Sequence, residues 1–117
     1  MSALQSRQID FETEHASREF LARIANRYEL AGALLFGSRA RGTHQRDSDA
    51  DIAILLSGDR PDVMKVAIDL SDVAFDVLLE TGINISPLPI WVEDWLHPEQ
   101  SSNPDLLHNI AKDGIAL

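Results

Sequence analysis

The chain contains no cysteine among its 117 residues. That excludes disulfides, thiolate metal sites and cysteine nucleophiles, and it fits a reducing compartment. Basic residues are scarce, 10 against 19 acidic ones, and the formal net charge is −9. A chain this acidic does not wrap duplex nucleic acid non-specifically, because phosphate repulsion opposes the contact. Long apolar runs are also missing. Nothing approaches the roughly 18 residues of a membrane span, and the start, MSALQSRQIDFETEH, lacks the apolar core of a signal peptide. The expectation is a soluble, cytoplasmic protein with no membrane contact.

What is present points to one domain spanning 1–117 with one core. An apolar fraction of 44% and a charged fraction of 25% are ordinary for a soluble globular chain. Phe20, Leu21, Ile24 and Tyr28 recur at helical spacing and predict an amphipathic helix over 16–28, after a loosely packed start. Ala33 to Phe36 is too short and apolar for a helix and reads as a buried strand that stops at Gly37. Ser38 stands where a helix N-cap would sit, Arg39 to Arg41 form a single turn, and Gly42 ends it. From Asp49 to Leu56 a second strand is apolar on both faces, which places it inside the sheet.

A turn containing Gly58 and Pro61, with the proline in the first helical turn, precedes a helix over 62–80. Its Asp69, Asp72, Asp76 and Glu80 read as a solvated face. Ile83 to Trp91 is a third strand, part of which Pro87 and Pro89 push to an edge or into a bulge. A last helix covers 104–112, with Gly114 as its stop. The fold class that follows is α/β (α+β), a small mixed sheet with helices covering one face.

Chemically useful groups concentrate in the segment 34–56, LLFGSRARGTHQRDSDADIAILL. Asp49 and Asp51, at i and i+2 on a strand, point to one face, where their carboxylates repel unless a cation sits between them. Magnesium suits such a pair, because it takes oxygen ligands, keeps several waters and adds substrate phosphates. Gly37 lets backbone approach a ligand closely. The amides after Ser38, with its hydroxyl, can hold a triphosphate tail. Arg39 and Arg41 supply positive charge. Residues 37–46 carry three arginines and His44 without one acid. Taken singly, each group also fits a structural role: Gly37 a strand-ending turn, Ser38 an N-cap, the aspartates a solvated strand start. Together they suggest metal-assisted nucleotidyl transfer, one divalent ion orienting the phosphates and a second activating the attacking hydroxyl.

Gly37-Ser38, ten intervening residues, then Asp49-Ala50-Asp51 resembles the signature of the DNA polymerase beta-type nucleotidyltransferase superfamily. The fuller string, GSRARG followed by SDAD, is similar to its minimal nucleotidyltransferase (MNT) branch, small domains that often accompany a HEPN-domain partner. The resemblance implies the polymerase beta-type fold, Mg2+, and ATP or another NTP as substrate. It assigns metal binding and catalysis to Asp49 and Asp51, and phosphate binding to Gly37 and Ser38. The implied activity is transfer of an NMP, AMP from ATP, to a hydroxyl of a protein or nucleic-acid acceptor. The implied partner is a HEPN protein or a second copy of the chain. The alternative is a catalytically degenerate module that binds nucleotide or masks its partner.

Members of this superfamily generally carry a third carboxylate on a later strand. Ile83 to Trp91 contains no acid, and Ser86 is the nearest polar match. Asp76, Glu80, Glu93 and Asp94 read better as surface charges. The acceptor-binding surface of larger relatives is expected to come from a dimer mate or a partner chain.

Overall fold

Helix α1 (Phe11–Ile24) begins where Asp10 can cap it: the carboxylate accepts the Thr13 amide at 3.0 Å and the Thr13 hydroxyl at 2.7 Å. The helix therefore starts five residues before the expected 16, because a local side-chain cap outweighs weak periodicity. The structure is a computed structural model that describes residues 9–58 and 62–117. The expectations for residues 1–8 and for Pro61 lie outside the described residues.

Strand β1 (Leu30–Phe36) leads through the single turn α2 (Ser38–Arg41) to β2 (Ala50–Leu56). Helix α3 (Val63–Thr81) crosses to β3 (Ile85–Trp91), followed by α4 (Val92–Leu96), a 3-10 turn (Pro98–Gln100), α5 (Pro104–Asp113) and the two-residue β4 (Ile115–Ala116). The sheet order is β3-β2-β1-β4. β1 runs antiparallel to both β2 and β4, and β2 pairs parallel with β3. Parallel pairing needs the long crossover that α3 supplies. β2 is interior and β3 is an edge, so Pro87 and Pro89 cost no ladder bond on the outer side. β4 is too short to announce itself by pattern; Leu117 N donates to Ala33 O beside it.

The sheet's two faces have different covers. Ile52, Ile54, Leu35 and Ile85 pack under α1 and α3 against Phe20, Ile24, Leu70 and Val77. Each such side chain contributes about 1.5–3 kcal/mol by leaving water. Ala53, Leu55 and Ile90 pack instead against Leu107 and Ile110 of α5. The expectation of helices on one face is thus corrected: α5 closes part of the other, because β2 is apolar on both sides and cannot leave either wet. The acids of α3 also do more than solvate it. Asp69 accepts from the Tyr28 hydroxyl at 2.7 Å and pairs with Arg27, and Glu80 pairs with Arg23, which ties α3 to α1. Among the described residues no helix is long and apolar enough to cross a membrane.

Candidate active site at the open end of the sheet

Asp51 follows the first residue of β2, opposite Phe36 on β1 and Ser86 on β3. It lies on the face of Ala53 and Leu55, beyond the reach of α5's core contacts. Asp49 precedes the strand and is exposed, whereas Asp51 is half-buried. Asn84 Nδ2 donates to Asp49 Oδ1 at 3.1 Å. Burial pushes the Asp51 carboxyl above its ordinary range, the Asp49 charge adds to that, and Arg41 partly offsets both. The two carboxylates therefore do repel one another, and Arg41 is the cation close enough to matter.

Gly37 packs directly onto this carboxylate. Its backbone has φ 75° and ψ −159°, a region that only glycine adopts without strain. A Cβ there would fall 2.2 Å from Asp51 Oδ2. The turn and the aspartate thus share a space that no side chain could enter. Gly37 O accepts the amides of both Ala40 and Arg41 at 3.1 Å, so the preceding amides of Ser38 and Arg39 come before the first intrahelical bond. Gly37 is the cap and Ser38 the first residue within the turn, so the turn begins one position earlier than expected from sequence. Gly42, in the left-handed region, ends the turn as expected.

Arg39 departs from its expected role. It is buried, and its guanidinium donates to Ser48 O at 2.9 Å, Arg46 O at 2.9 Å and Thr13 Oγ1 at 2.8 Å. A side chain so committed is a clamp that fixes the 42–49 connection to the start of α1, not a phosphate ligand. The clamp extends through Thr13 to Asp10, which also lies 3.5 Å from His44 Nε2. Burial opposes ionisation of Asp10, but the Thr13 hydroxyl and amide outweigh it, and the carboxyl sits below its ordinary range. Composition could not separate the two arginines, because both sit in one basic segment; only the tertiary contact with α1 does.

The donor set fits magnesium. Two carboxylates, one exposed and one half-buried, meet a turn whose backbone packs on one of them, and magnesium takes oxygen ligands of this kind and completes its shell with waters and phosphates. Among the described residues no third His, Cys, Asp or Glu joins them. Asp76 and Glu80 lie on α3, behind the opposite face of the sheet, and Glu93 and Asp94 lie on α4 past the far end of β3. The second ion expected from sequence accordingly has no carboxylate of its own. Asn84, whose contact with Asp49 the sequence did not announce, occupies the β3 approach to the pair together with Ser86.

Residues 19–117 match the family described as Polymerase beta, Nucleotidyltransferase. The chain belongs to this family. Among curated proteins it is 36% identical over 81 residues to "Putative protein adenylyltransferase MJ1305" of Methanocaldococcus jannaschii, a match that covers 65% of this chain and 53% of that protein. The chain thus spans about half the length of the curated relative it matches. Two solved structures share the fold. One is a toxin–antitoxin complex with AMP-PNP, with a TM-score of 0.60 and 23% identity over 88% of this chain and 70% of the other. The second is a mutant of the toxin–antitoxin pair MntA-HpeT, with a TM-score of 0.59 and 23% identity over 94% and 72%.

Proposed function

We propose that this polymerase beta-type domain is a Mg2+-dependent nucleotidyltransferase that moves AMP from ATP to a hydroxyl of a partner protein. The observation that carries the reading is the contact of the Gly37 turn with Asp51, two residues from Asp49. A phosphate-holding backbone and a carboxylate pair then meet at one point. Asp49 and Asp51 would hold the metal, which would supply charge neutralisation at the phosphates as pyrophosphate departs. Ser38 and the amides that open α2 hold the triphosphate, and Arg41 adds charge at its side. The acceptor oxygen attacks the α-phosphorus, its bond to the bridging oxygen breaks, and the hydroxyl proton leaves to solvent. Asn84 orients Asp49 through its amide. The adenylyltransferase name of the archaeal relative and the AMP-PNP held by one structural neighbour support ATP as donor. The toxin–antitoxin neighbours support a protein acceptor, and a HEPN protein is the partner we infer.

Ser86 favours a second reading. It stands beside Asp51 on the neighbouring strand, where an acid would complete the site, and a neutral hydroxyl neither brings the negative charge that holds a second ion tightly nor takes a proton at neutral pH. On this reading the chain binds Mg2+–ATP and masks its partner without turnover. Incubation of the chain and its partner with labelled ATP and Mg2+ separates the two. Label on the partner that disappears in Asp49→Asn and Asp51→Asn establishes the enzyme. A stable complex with no label, unchanged in both variants, refutes it and leaves the masking module.

A further inference from the structure

Helix α3 buries one stripe and exposes another that is also apolar. Met64, Ile68, Phe75 and Leu79 are 68%, 56%, 57% and 69% exposed. At 3.6 residues per turn these four positions fall within an arc of about 60°, so they form one continuous ridge along the helix. Among the described residues the core uses none of them, since the contacts of α3 come from Val66, Leu70, Val73 and Val77. A ridge of this kind on a soluble chain marks an interaction surface.

The order of residues along the ridge says what it fits. Met64 and Leu79 are centred on the same point as Ile68 and Phe75, between Ser71 and Asp72. Two copies of α3 laid antiparallel about a twofold axis at that point bring Met64 of each against Leu79 of the other, and Ile68 against Phe75. The charged flank is self-complementary as well. Lys65, the one basic residue in α3, and Asp76 lie on the same edge of the ridge. Their midpoint falls one residue from the axis, so Lys65 of each copy comes level with Asp76 of the other, whose charge also reaches Arg23 of its own chain. The two Asp72 side chains approach on this edge too, but in water, where screening keeps the repulsion small. An open groove of about 770 Å³ bordered by Met64, Ile68, Asp72 and Tyr28 runs beside the ridge. It gives the incoming Phe75 a pocket to fill, the usual form of an interface anchor.

We infer that α3 is a homodimerisation helix, pairing antiparallel with a second copy of this chain. Two helices of 19 residues make a contact near the lower bound of a standard interface, roughly 1,200 Å² in total, which corresponds to a reversible dimer. α3 covers the face of the sheet opposite Asp51, so both nucleotide sites stay open, and the inference stands whether or not the chain turns over.

Sedimentation velocity of the full chain from micromolar to near-millimolar concentration tests it, with circular dichroism confirming that each variant is folded. The wild type shows a concentration-dependent monomer–dimer equilibrium. Phe75→Asp and Ile68→Asp each weaken it by at least about thirtyfold. Lys65→Glu and Asp76→Lys each weaken it, and the double variant recovers it, because exchange of the two signs restores both pairs. The inference is overturned by a wild type that is monomeric throughout, by a dimer indifferent to Phe75→Asp, or by a double charge variant no better than the singles. A chain that stays monomeric until a second protein binds through Phe75 also overturns it and gives the ridge to that protein.

Discussion

Replacing Gly37 with alanine tests the site at its tightest point. The residue holds φ 75° and ψ −159°, where an L-residue costs about 1–3 kcal/mol of backbone strain. The added Cβ would stand 2.2 Å from Asp51 Oδ2 and 3.2 Å from Asp51 Cγ, closer than carbon and oxygen can approach. The carboxylate must therefore swing away from the turn. For a domain of this size the strain alone lowers Tm by roughly 5–15 °C. The displaced carboxylate also removes half of the proposed metal-binding pair, so the affinity for Mg2+–ATP falls by at least about tenfold, which corresponds to a loss of about 1.4 kcal/mol or more from one misplaced charged ligand. Gly82→Ala provides the control. Gly82 also has positive φ, 79°, but a Cβ there meets nothing within 4 Å. It loses about 1 kcal/mol in the left-handed region and keeps its nucleotide affinity. Urea unfolding and calorimetric titration of both variants read the two effects separately. A folded Gly37→Ala protein that binds Mg2+–ATP as the wild type does would refute the account of the turn as a shaped half of the site.

The two arginines of α2 are expected to separate cleanly. Arg39→Ala leaves Thr13 Oγ1 and the carbonyls of Arg46 and Ser48 without their donor and costs on the order of 3 kcal/mol in urea unfolding. Arg41→Ala, on the exposed side, changes stability by less than about 0.5 kcal/mol but weakens ATP binding. The raised Asp51 pKa means that the folded state binds a proton more readily than the unfolded one, so ionisation of Asp51 lowers stability as pH rises through the folded value. Asp51→Asn is therefore more stable than the wild type at neutral pH without metal, and Mg2+ raises the Tm of the wild type but not of the variant. Burial and the Asp69 hydrogen bond push the Tyr28 phenol up to about 12. Its ultraviolet titration should stay flat through pH 11, and Tyr28→Phe should cost about 1 kcal/mol.

Much of the sheet was legible because its residues announce themselves locally. The alternation of Ile52, Ile54 and Leu56 with Ala53 and Leu55 dictates a strand buried on both faces. Pro87 and Pro89 confine β3 to an edge, since neither can donate to a ladder. Asp10 was the missed signal at the start of α1, where a capping side chain three residues before a threonine marks the first turn more reliably than apolar spacing does. β4 left no trace at all, because two residues carry no period and gain their pairing only from the presence of β1.

The sequence by itself determined the local geometry at Gly37, Asp49 and Asp51. A glycine that must take positive φ and two carboxylates at alternate strand positions are constraints written into residue type and spacing, and short-range sterics enforce them wherever the chain folds. Tertiary structure decided the rest. Arg39 and Arg41 are the same residue two positions apart, yet the first is sealed against Thr13 while the second is exposed and lies within electrostatic reach of Asp51. Asp69 and Glu80 became ties to α1 because the two helices lie side by side. Asn84 reached Asp49 across 35 residues of sequence. Each of these turns on which groups exclude water from one another, and that depends on how distant segments pack.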